Sequence, residues 1–287
     1  MDPLIVMISL LSVPIGILIG LGAGVVGLTA WPLLVPLLLV FGGFPLHEAL
    51  LSSLLVDLVI AVILTIFYVR FADVEVDGIY GAKLGTVAGI TAIITVIIAF
   101  PLLEQYSDVF KGGSTIVTML LGVFFIIQGV RMKSPPNQAG LDNTDSSGYS
   151  RLDARHNRFS QKQKNLISYG FCAVQGLLTG AIAIGGAMNI VLVLAFLVGY
   201  PTLRAVGTAM VTTTIMLSAT VLAYAVLLEF TLSTLPIVVL YVIVGGISCL
   251  IAVMRVQSIP ERRLRLTIGV VVMTAALFAA AQVFLLG

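Results

Sequence analysis

At 287 residues, with 59% hydrophobic and 10% charged side chains, the chain has a mean hydropathy of +1.15. Soluble domains carry about 25% charged residues, so this composition excludes a soluble globular protein and makes lipid the solvent. The net charge of +2 says little by itself; where the charges lie says more.

A helix needs about 20 apolar residues to cross a hydrocarbon core about 30 Å thick. The candidate segments are 4–24, 28–43, 49–69, 79–100 and 114–130, then 166–186, 188–199, 205–228, 234–254 and 266–286. The first has no basic residues before it, and its apolar run from Leu4 outlasts a signal-peptide core, so it reads as mature structure. It ends in Gly20-Leu-Gly22-Ala-Gly24-Val-Val-Gly27. With Glu48 downstream, this formally matches the dinucleotide fingerprint, but the strand and βαβ context that motif requires are missing from an apolar membrane segment. Two readings remain. The glycines allow close helix packing, or they break the helix and free N–H groups for a ligand. Pro32 suits the first turn of a new helix, with Thr29 as its cap. Segment 28–43 is short, and hydropathy leaves open whether it crosses or re-enters.

After the turn at Pro45 come Ser52 and Ser53, whose hydroxyls either face a ligand or bond back to the preceding helical turn. Asp57 is the one acidic residue well inside an apolar segment, which suggests proton coupling or a structural hydrogen bond. Lys83 and Arg204 are expected to snorkel to the interface. Residues 134–165 are polar, start with Pro135 and Pro136, and read as a mobile linker. With its flanks, this stretch carries Arg131, Lys133, Arg151, Arg155, Arg158, Lys162 and Lys164, which places it in the cytoplasm. Alternating outward puts all 15 basic residues except Lys111 on that side, and both termini outside.

The second half repeats the first. Gly16-Ile-Leu-Ile-Gly20 recurs as Gly176-Leu-Leu-Thr-Gly180, and Thr29 aligns with Asn189, both 160 residues on. Phe44-Pro45 recurs as Tyr200-Pro201, and Ser52 and Ser53 as Thr208 and Ala209, 156 residues on. A deletion of four residues in the short second segment reconciles the two offsets. Asn189, just past Gly185 and Gly186, is a strong N-cap type. Gln175 lines a pathway or pairs with a neighbouring helix. Cys172 and Cys249 sit in apolar runs and read as packing residues. The expected fold is all-α: a polytopic membrane protein of two inverted-topology repeats, 1–133 and 166–287, joined by the linker 134–165. Each repeat has about five segments, with broken or re-entrant helices. Inverted repeats mark secondary transporters, whose sites lie near the midplane on discontinuous helices. Half-helix N-termini meeting there favour an anion. The candidate binding residues are Gly24, Gly27, Thr29, Ser52, Ser53, Gly185, Gly186, Asn189, Gly207 and Thr208.

The glycine-rich segments Gly16 to Gly27 and Gly176 to Gly186, with Ala49-Leu-Leu-Ser52-Ser53 and Ala205-Val-Gly207-Thr208-Ala209, resemble the sulfite exporter TauE/SafE family. The family pattern is Ala-x-Gly-Thr-Ser; the second copy departs from it at Ala209, and the first lacks its glycine. The resemblance implies export of small sulfur-containing anions, such as sulfite or organosulfonates like sulfoacetate. The expectation is a secondary active exporter working by alternating access, with Asp57 as the proton-coupling candidate; a passive anion channel is the alternative. Expected partners are a small anion, the lipid bilayer and a second copy in a homodimer. No nucleic acid, metal, cofactor or catalytic residue is expected, because the spans hold neither an acid-rich metal motif nor a Ser–His pair.

Overall fold

The computed structural model describes residues 3–105 apart from 28 and 72–74, 160–227 apart from 184–185, 234–255, and single helical positions within 120–130 and 266–273. Every element among them is a helix, as lipid demands, since a helix satisfies its own backbone hydrogen bonds. α1 is Pro3–Val26, and α2 is Trp31–Pro36, which continues into a π-helical turn, Leu37–Phe41. α3 is Leu46–Arg70 and α4 is Gly78–Gln105. After the linker come α5, Gln161–Ile182, and α6, Ala187–Val193, with its own π-helical turn Leu194–Val198. α7 is Thr202–Leu227 and α8 is Leu235–Arg255. Helices α3, α4, α5, α7 and α8 are long and apolar enough to cross a membrane. The expected segments 114–130 and 266–286, apart from single positions, and linker residues 134–159 lie outside the described residues.

Local sequence sets several helix starts. Ser160 and Gln163 form a reciprocal capping box at α5. Asp77 opens α4, its Oδ1 accepting the Tyr80 N–H at 3.0 Å. α2 and α6 start differently. Each with its π-helical turn is about 16–18 Å long at about 1.5 Å per residue, against a hydrocarbon thickness of about 30 Å.

Both halves break in the same way. α1 ends on Gly27, at φ +71°, and α5 on Ala183, at φ +57°; left-handed residues commonly end helices. Ala30 is the N-cap residue of α2 and Gly186 that of α6. Gly43 and Gly199, at φ +62° and +89°, follow the two π-helical turns. Gly27 and Ala183, Ala30 and Gly186, and Gly43 and Gly199 are each 156 residues apart. The offset of 160 expected for the first segment is thus one helical turn too long, and no deletion is needed. Glycines at 16, 20 and 24 fall on one helix face at i, i+4 spacing, so Gly176 and Gly180 fit them in two registers. Asn189 consequently aligns with Leu33 rather than Thr29. Neither Thr29 nor Asn189 caps a helix.

The first helix of each half packs on the fourth of the other. On α1, Gly16 lies against Tyr241 and Val244, Gly20 against Gly245 and Ser248, and Gly24 against Cys249 and Ala252, all on α8. On α5, Gly176 lies against Ala88 and Thr91, and Gly180 against Ala92 and Thr95, all on α4. Both pairs run parallel. Any side chain at Gly20, Gly24, Gly176 or Gly180 would meet backbone, so the close approach requires them. α3 and α7 run antiparallel at the centre: Tyr68 lies near Gly207, and Thr65 and Thr214 share a hydrogen bond of 2.9 Å. Ile90, Ile94, Ile97 and Ile98 of α4 face outward, where water would leave an exposed apolar patch and lipid does not. Cys172 and Cys249 are buried and free, packing as expected.

Candidate functional site

The two breaks touch. The Met188 N–H of α6 points at the Gly27 carbonyl at 3.4 Å, and Gly186 lies against Thr29 and the same carbonyl. A Cβ on Gly27 would stand 3.0 Å from the Ala187 Cβ. Glycine at position 27 therefore provides both the left-handed turn and the close approach.

Beside this contact lies a cavity of about 20 Å³, room for about one water molecule. α1 and its break bring Ala23, Gly27 and Thr29; α3 brings Asp57, Ile60, Ala61 and Leu64. α6 contributes Ala187, and α7 contributes Met210, Thr213 and Leu217. Asp57 and Thr213 both lie near the middle of their helices. They are also 156 residues apart, as are Ala61 and Leu217.

Asp57 is 6% exposed. Its Oδ1 accepts the Ala30 N–H at 2.6 Å, so a side chain 27 residues away supplies the cap that Thr29 does not. Its Oδ2 has no partner among the described residues, and neither has Thr213 Oγ1. An ionised carboxylate at the centre of a membrane helix costs about 2.5–3.5 kcal/mol even by insertion scales. Two residues that line the cavity thus each bury an oxygen without a partner among the described residues, which native proteins rarely do without a reason.

The other expected residues are distributed around this centre. Gly27 and Thr29 line the cavity, Gly186 abuts it through Thr29, and Gly24 packs on α8. Ser52 and Ser53 are buried in α3 off the lining; Ser53 Oγ has no partner among the described residues. The Asn189 amide donates to Gln175 Oε1 at 3.2 Å, so Gln175 takes the pairing role. Gly207 and Thr208 sit at the start of α7, away from the cavity. Gly185 lies outside the described residues.

A second polar group, missed in the sequence, surrounds Thr208. Its Oγ1 accepts the Asp77 N–H at 3.1 Å. Tyr200 Oη donates to Asp77 Oδ2 at 2.8 Å. Arg204 stacks on the Tyr200 ring at 4.6 Å and pairs with Glu75 at 3.5 Å and Asp77 at 3.9 Å. Burial, then the bond to Asp77, pushes the Tyr200 phenol up to about 12. This group ties the loop before α4 to the start of α7. Its one sequence signal was Asp77 standing just ahead of an apolar run.

Comparison with known proteins bears on the same elements. No curated protein and no solved structure matches the chain. The sequence model described as sulfite exporter TauE/SafE matches residues 15–279. That match takes in both helix breaks, the swapped glycine contacts and the cavity, so the chain is a membrane transporter that belongs to the sulfite exporter TauE/SafE family.

Proposed function

We propose that the protein is a secondary active transporter that exports small sulfur-containing anions by alternating access between two inverted repeats, with Asp57 as its proton-coupling residue. The contact between the two helix breaks beside a cavity with two unpartnered buried oxygens carries this reading. Three further features support the inverted repeat: breaks at one offset, glycine faces swapped between halves, and antiparallel central helices. The cavity at about 20 Å³ is too small for a whole sulfur oxyanion. In this reading, loading a whole anion requires the halves to part, as alternating access entails.

The choice of sulfite or an organosulfonate such as sulfoacetate rests on the family. Purified protein in liposomes, loaded with sulfite, sulfoacetate or chloride, tests it. Saturable flux of a sulfur anion, with counterflow and little chloride, is expected. Non-saturating flux, with chloride as fast as sulfite, would instead establish a passive channel. A homodimer is part of the same proposal; the mass of the detergent-solubilised protein by light scattering decides it.

A further inference from the structure

We propose that Asp57 and Thr213 are paired hydrogen-bond donors to one oxyanion, and that Asp57 donates only when protonated, so each bound anion brings one proton. This rests on reading the cavity as the anion site.

Asp57 Oδ1 is committed to the Ala30 N–H at 2.6 Å, which it accepts whether the carboxyl is ionised or neutral. Oδ2 is buried with no partner among the described residues, on a side chain that lines the cavity. Ionised, that oxygen is acceptor-only and repels an anion; protonated, it is an O–H donor. Thr213, 3% exposed, presents a second bare oxygen whose hydroxyl hydrogen rotates toward an acceptor. The volume has room for one oxygen of an oxyanion, which in this proposal accepts from both.

Charge enforces the link. Among the described residues, Asp57 is the only titratable side chain lining the cavity. Around it α1 and its break bring Ala23, Gly27 and Thr29; α6 brings Ala187 and α7 Met210 and Leu217, all uncharged. Tyr241 and Cys249, the nearby titratable groups of α8, do not line it. Among the described residues no lysine, arginine or histidine lines the cavity to offset an anion beside a carboxylate, so in this proposal the balancing charge arrives with the ligand. A hard metal cation needs six or more oxygen ligands, and the lining offers side-chain oxygens only from Asp57, Thr213 and Thr29. A proton needs one. The step is a proton addition to the Asp57 carboxylate as the anion enters; no bond in the anion breaks, and both leave together.

The test uses the full-length purified protein and methanesulfonate, which stays a monoanion across the pH range used. Binding is followed by calorimetry from pH 6 to 9 in sodium-free buffer. Wild-type affinity is expected to fall as pH rises, approaching about tenfold per unit. Asp57→Asn, whose amide is a permanent donor, is expected to bind with a flat pH profile. Thr213→Val is expected to keep the slope and bind roughly tenfold more weakly, as for one lost bond to a charged ligand. A flat wild-type profile, a slope that persists in Asp57→Asn, unchanged affinity in Thr213→Val, or binding only with sodium each overturns the proposal. No binding to any of the three proteins at any pH overturns the anion site beneath it, a result distinct from binding without proton linkage.

Discussion

Asp57 shows how much one side chain can carry when the solvent is lipid. One oxygen holds the first N–H of a short helix and the other is buried with no partner among the described residues, so its loss leaves a buried donor orphaned, at about 1–3 kcal/mol. Tyr200 is a simpler case. Its phenol donates to Asp77, and its pKa of about 12 in the fold stands above the ordinary value near 10. The protonated form is thus the one the fold favours: its contribution is whole below pH 10 and is lost as pH climbs through about 12. Tyr200→Phe should destabilise by about 1 kcal/mol at neutral pH and remove one tyrosine's ionisation from the strongly alkaline end of an absorbance titration. An unchanged titration curve would contradict the bond. Asp77 was legible only as a helix start; its bonds to Tyr200 and Arg204, more than 120 residues away in sequence, were not.

Helices α1 and α5 show which glycines matter. A methyl at Gly20 runs into the Gly245 carbonyl, whereas one at Gly170, also helical, meets nothing within 4 Å. Gly20→Ala should cost about 1–3 kcal/mol or more by overpacking, and Gly170→Ala should be neutral or gain up to about 1 kcal/mol from helix propensity. Thermal melting in detergent separates the two; equal melting temperatures would refute the α1–α8 contact. The break at Gly27 was readable because glycine runs and Pro32 punctuate an otherwise apolar stretch. The π-helical turns at Leu37–Phe41 and Leu194–Val198 were not, since uniform aliphatic runs carry no such marks. The repeat register was misread by one turn because a shift of four residues keeps the same helix face.

For the whole molecule, charge placement predicts orientation. Single cysteines introduced in the linker, at Ser146, and beside Lys111, at Gly112, in a chain without Cys172 and Cys249, should differ in labelling by a membrane-impermeant maleimide on intact cells. Gly112→Cys is expected to react and Ser146→Cys to react only after lysis; the reverse would invert the topology. Composition and hydropathy were enough to establish a helical membrane protein, and the paired glycine motifs its family, because exclusion from lipid acts on every residue independently and leaves a record in the linear order. The meeting of Gly27 with Met188, of Asp57 with Ala30, and of Asp57 and Thr213 across one cavity was decided only by tertiary structure. Those contacts depend on helix rotation and depth, and an apolar sequence leaves both free until the helices pack.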